Sequence, residues 1–150
     1  MDVGMAARSG RAARRAAREA AIQMLYCWEV GGASLDEALE GFRESGVRVL
    51  DEATGELARA LARGTAARLD RIDPLLEAQA EHWRLERMAI VDRWILRLGA
   101  YELLETDTPR AVVINEAVEL ARTFSTEDAV RFVNGVLDGL ARALAPPPSA

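Results

Sequence analysis

Lysine is absent from this chain: every one of its 19 basic residues is arginine. With alanine so abundant, this reads as a codon bias, so arginine in place of lysine carries little information at any single position. Cysteine and histidine occur once each, at Cys27 and His82. A lone cysteine excludes an internal disulfide and a cysteine-based zinc finger, and a lone histidine excludes the His-pair metal motifs. No metal or cofactor is therefore expected. No run of about 18 apolar residues is present, so no segment reads as membrane-spanning. Arg8 to Arg18 is not followed by the unbroken apolar stretch of a signal peptide, which makes a reducing cytoplasm the expected location. Neither GxGxxG nor GxxxxGK[ST] occurs, so the phosphate-cradling loops of nucleotide enzymes are missing.

What remains is ordinary for a globular domain. Half of the 150 residues are apolar and 29% are charged, and a chain of this length buries roughly 68–70% of its unfolded surface. The net charge of −5 is unevenly spread. Residues 1–18 carry five arginines against Asp2, whereas residues 19–150 carry 14 arginines against 23 acids. An acidic body with one basic corner favours a small, localised anion-binding footprint over indiscriminate nucleic-acid binding.

Helical periodicity dominates. Residues from Arg11 to about Val30 are strong helix formers and stop at Gly31-Gly32. Ser34 with Glu37 reads as a capping box, opening a short helix that ends near Gly41 or Gly46. Val47 to Leu50 alternates like a strand but has no partner. Leu50, Ala53, Leu57, Ala60, Leu61 and Leu69 mark a long helix, interrupted at Asp73-Pro74. Pro74 suits the first turn of another helix, reaching His82, and Trp83 to Arg87 reads as a hinge. Met88, Val91, Ile95, Leu98 and Leu103 form the next stripe, ending near Thr106. A further stripe comprises Val113, Ile114, Ala117, Val118, Ala121 and Phe124. Ser125 and Asp128 suggest a second capping box before a last helix carrying Phe132, Val133, Val136, Leu137, Leu140 and Leu144. The expected fold is an all-α, compact bundle of about seven helices in two small subdomains. It forms a single domain over residues 1–145 with halves at about 11–82 and 83–144; residues 1–10 and 146–150 are expected to be flexible.

No catalytic constellation emerges. His82 has no serine or cysteine nearby to activate, Cys27 reads as a small core residue, and the acid pairs Asp70/Asp73 and Glu116/Glu119 have the spacing of plain surface charge. The protein is therefore read as a non-enzyme. Nucleic-acid binding has firmer support. Arg11, Arg14, Arg15 and Arg18 fall within about 100° of arc on a helical wheel. Tyr26 lies on the same side, roughly 16 Å further along the axis. Guanidinium groups for phosphates and an aromatic for a base suit single-stranded RNA; an A-form duplex hides its base edges in a deep major groove. In the last helix the step Phe132, Val136, Leu140 runs straight through Asn134-Gly135. A mid-helix glycine costs roughly 0.5–1 kcal/mol, so close packing of another helix is expected there, with a ligand approaching the backbone as the alternative. Arg131 and Phe132 supply a second cation and aromatic beside it.

Four blocks carry a resemblance: RRAAREAAIQMLYCWE at 14–29, WILRLGAYEL at 94–103, VVINEAVELARTF at 112–124 and RFVNGVLDGL at 131–140. In this order and spacing they resemble the NusB family of bacterial transcription antitermination factors; the middle, about 31–82, matches only as a helical pattern. The resemblance implies an all-helical fold and binding of the boxA element of nascent ribosomal RNA leader transcripts together with the ribosomal protein NusE. The pair would then join NusA, NusG and RNA polymerase. It implies that Arg14, Arg15 and Arg18 occupy RNA-contacting positions and that Tyr26, Asp128, Phe132 and Asn134 belong to the same surface. Asp92 matches an acid facing NusE. Ala16 stands where some members carry another cation. A homodimer that covers the basic surface is a further possibility within such a family. Two alternatives stand beside this reading. One is a helical protein-interaction adaptor without RNA binding. The other is the non-catalytic RNA-binding domain of an RNA cytosine methyltransferase, which would need a further Rossmann-like half outside these 150 residues.

Overall fold

The computed structural model describes the backbone over residues 3–80 and 84–145, with side chains from residue 10 onward in those ranges. The readings placed on His82, on Trp83 and on residues 146–150 lie outside the described residues. Among those described there are seven α-helices, one 3₁₀ turn and no strand, as the periodicity predicts. The helices fall into two compact units, Met1–Ala66 and Ala67–Ala150. The division therefore comes between the third and fourth helices, well before the Trp83–Arg87 segment taken for a hinge.

The first unit holds α1 (Val3–Gly31), α2 (Leu35–Ser45) and most of α3 (Glu52–Ala67). Ser34 caps α2, its hydroxyl accepting from the Glu37 N–H at 3.2 Å. Gly46 ends the helix at φ +67°, a left-handed conformation that costs glycine nothing. Leu39 and Phe42 are the buried residues of α2, which packs on α1. The connection to α3 is tied back by Arg48, whose Nε donates to Gln23 and whose Nη2 donates to Glu19, each at 3.0 Å. Asp51 caps α3 by accepting from the Thr54 N–H at 2.8 Å. That backbone bond, with a second from the Thr54 side chain, holds the Asp51 carboxyl below the usual carboxylate range.

The face of α3 departs from expectation. Ala53, Leu57 and Ala60 are exposed, and the buried side is Thr54, Gly55, Ala58, Leu61, Ala62 and Thr65. The buried stripe is rotated from the expected Leu/Ala one and shares Leu61 with it. Thr65 is tolerated inside because its hydroxyl donates to the Leu61 carbonyl at 2.7 Å.

The second unit holds α4 (Leu69–Gln79), a 3₁₀ turn (Leu85–Arg87), α5 (Ile90–Glu105), α6 (Arg110–Phe124) and α7 (Glu127–Leu144). Pro74 lies inside α4, not in its first turn. The break comes at Arg68, whose φ of −115° and ψ of 15° leave the helical region. α5 is central: seven consecutive residues, Trp94 to Ala100, are buried, the mark of a helix enclosed on all sides. Gly99 makes this possible, since a Cβ there would stand 2.7 Å from Leu137 Cδ1 of α7. α7 is capped by Thr126, which accepts from the Ala129 N–H at 3.2 Å; the predicted Ser125–Asp128 box is displaced by one residue. No described helix is long and apolar enough to cross a membrane.

Candidate nucleic-acid interface

In the first unit, α1 is 29 residues long, about 43 Å at 1.5 Å per residue. Arg11, Arg14 and Arg15 are exposed on it, but Arg18 is only 5% exposed and is engaged within the protein. One and two turns on, Ile22 and Leu25 on the same side are buried too. The basic stripe thus passes from solvent into packed structure, and its accessible part is three arginines. Tyr26 emerges again at 44% exposure, available for stacking. Cys27 is exposed, contrary to its reading as a core residue: it lies just beyond the buried arc that ends at Leu25.

In the second unit, Asp128, Arg131 and Asn134 are exposed on α7 and Phe132 is half-buried. Arg131 donates to Asp128 one turn back, an exposed pair that sets an acid beside this cation. The fold brings Asp92 of α5 to the same place. Asp92, Asp128 and Phe132 line one cavity of about 230 Å³, together with Arg87 and Met88 from the 3₁₀ turn and its exit. Residues assigned separately to a protein partner and to RNA therefore share a pocket. Asp92 Oδ1 is buried with no hydrogen-bond partner among the described residues. Sequence reasoning missed Arg87, although it lies inside the segment read as a hinge; only the cavity that the 3₁₀ turn shares with α5 and α7 reveals it.

The acid pairs resolve differently. Asp73 is taken up by Arg97, and Glu116 is buried; among the described residues no group of three or more potential ligands is placed to hold a metal ion. Gly135 also departs from expectation. It is exposed, and a Cβ built on it would meet nothing within 4 Å, so no helix packs there. The close approach occurs one turn later, where a Cβ on Gly139 would stand 2.6 Å from Gln79 Oε1. Gly135→Ala is accordingly expected to stabilise the free protein by about 0.5–1 kcal/mol, read as a higher midpoint in urea denaturation.

The NusB family model matches residues 15–142. The transcription antitermination protein NusB of Anaeromyxobacter dehalogenans is 47% identical over 133 residues, covering 89% of this chain and 93% of the relative. That of Myxococcus xanthus is 46% identical, with 90% and 99% covered. Among solved structures, T. maritima NusB aligns with a TM-score of 0.78 at 39% identity, covering 89% and 93%. A structure of antitermination factors NusB and NusE in complex with dsRNA aligns at 0.76 and 30% identity, covering 87% and 97%.

Proposed function

The chain belongs to the NusB family, and on that premise we propose that it is a transcription antitermination factor that binds boxA-type RNA together with NusE. The observation that carries the reading is the pocket of Arg87, Asp92, Asp128 and Phe132, which gathers a cation, two acids and an aromatic at residues the family match spans. No step in this reading is catalytic, in keeping with relatives named as antitermination proteins.

The mechanism divides affinity from selectivity. Arg11, Arg14 and Arg15 neutralise phosphates and release counterions, which supplies affinity without sequence information. Selectivity comes from unstacked bases met by Tyr26, Phe132 and Asn134. Asp128 tempers Arg131, so a charge change at Asp128 releases a cation toward the RNA. Asp92 serves the NusE-type partner. Residues 19–150, with 23 acids against 14 arginines, disfavour off-target RNA and steer a basic ribosomal protein. The pair then joins NusA, NusG and RNA polymerase in the cytoplasm; self-association that covered the basic surface would compete with the RNA.

The test is fluorescence anisotropy of a labelled boxA-like single strand against scrambled and duplex controls, with and without the NusE-type protein, across a salt series. Three or four phosphate contacts predict a log–log slope of roughly −2 to −3, weak binding alone and tighter binding with the partner. Equal affinity for the scrambled strand would remove the selectivity half of the reading; partner binding without RNA selectivity would leave a protein adaptor.

A further inference from the structure

Three further arginines of the second unit face one cleft. It holds about 810 Å³ between α6 and α7 and is lined by Arg110, Asn115 and Arg122 on α6 and by Asn134, Asp138 and Arg142 on α7. Residues 67–150 carry 10 arginines against 14 acids, so a lining of three arginines against one aspartate reverses the local charge. Arg122 is paired with Glu119 and Arg142 with Asp138. Exposed pairs along one helix are weak and exchange readily for a better anion.

The cleft meets the candidate RNA surface at Asn134, on the side of α7 away from Phe132. Arg131, Asn134, Gly135, Asp138 and Arg142 fall within about 100° of arc on α7 and span roughly 16 Å of its axis. Asn134 belongs both to the predicted base-reading group and to the cleft wall. Gly135, with open space where a Cβ would stand, lets a bulky group pass against the helix backbone between them. Arginine forks match phosphate oxygens in pairs, and the amides of Asn115 and Asn134 add neutral donors.

We propose that the α6–α7 cleft is a phosphate site for the same RNA strand, extending its track from Arg131 and Asn134 across Gly135 to Arg142, Arg110 and Arg122. The inference rests on the RNA-binding reading above and adds a second stretch of backbone contact to it. A strand seated there is longer than the core element, and its extra nucleotides are held by charge, not by sequence.

The test uses the full chain and two labelled single strands, the boxA-like core and the same core extended at both ends. For the extended strand, Arg110→Ala with Arg142→Ala weakens binding roughly tenfold and makes the salt slope shallower by about 1.4, because each phosphate neutralised on a single strand adds ~0.7 to it. The core strand is barely affected. Asp138→Asn, which removes the competing acid, strengthens binding of the extended strand a few-fold. Gly135→Ala weakens it although the protein itself melts higher. Unchanged affinity and slope in the double variant, while Arg14→Ala with Arg15→Ala still weakens binding, overturns the cleft and leaves the RNA reading standing. Failure of the wild type to bind either strand overturns both. If the double variant no longer binds the NusE-type partner but binds RNA as before, the cleft holds an acidic segment of protein and the proposal is overturned.

Discussion

Replacing Arg11, Arg14 and Arg15 together with alanine is expected to flatten the salt dependence of RNA binding by about 2 on the log–log slope, since each phosphate contact on a single strand contributes ~0.7. Affinity at moderate salt should fall by roughly two orders of magnitude, because the proposed reading assigns most of the counterion release to these three guanidinium groups. All three are exposed on α1, although Arg15 also makes a contact within the protein, so circular dichroism and a melting curve check that the helix survives their removal. Arg18→Ala separates a structural role from a binding one. Arg18 is buried and engaged within the protein, and truncating it leaves a partner group unsatisfied, a penalty of about 1–3 kcal/mol. Its signature is a lower melting temperature with little change in salt slope. A triple variant that binds as tightly and as steeply as the wild type would place the RNA elsewhere on the molecule.

The largest stability effect belongs to Arg97. Its Nε and Nη2 donate to the two carboxylate oxygens of Asp73, each at 2.9 Å, joining α5 to α4. Its Cζ lies 4.6 Å from the centroid of the buried Trp94 ring. The arginine side chain is 11% exposed and the aspartate 27%, so little water is available to take a missing partner's place. Arg97→Ala is expected to cost about 3 kcal/mol, in the range for breaking a largely buried pair, and to lower the melting temperature by roughly 6–12 °C for a chain of this size. Arg97→Lys should recover little of this, because a single ammonium reproduces neither the two parallel bonds nor the stacking over indole. Asp73→Asn removes the counter-ion and should destabilise less than the truncation. A urea double-mutant cycle over Arg97 and Asp73 reads the coupling directly; additive single effects would mean that the pair contributes packing alone.

Several features of the fold were legible from residues alone because they are local. Ser34 caps α2 whatever surrounds it, since its hydroxyl needs only the Glu37 N–H. The step Phe132, Val136, Leu140 carries α7 through Asn134-Gly135 because an apolar stripe of helical period outweighs a turn-forming dipeptide. The four family blocks were visible for the same reason: they are runs of contiguous residues. The face of α3 was not legible, because alanine and leucine lie around much of its circumference and hydropathy alone does not choose between adjacent stripes. Nor was the burial of Arg18, whose wheel position is shared with exposed arginines one turn earlier.

The candidate site shows the same division. Arg11, Arg14, Arg15 and Tyr26 could be assembled from the sequence because a single helix orders them. Asp92 and Asp128 could not, since 36 positions separate them and only the packing of α5 against α7 brings both to the pocket of Phe132 and Arg87. Composition and period thus set the helical class, the caps and the charge asymmetry, properties that each segment carries without its neighbours. Which side of each helix is dry, which arginine meets water and which acids share a pocket were settled by tertiary packing, because burial depends on the neighbouring helices as much as on the segment itself.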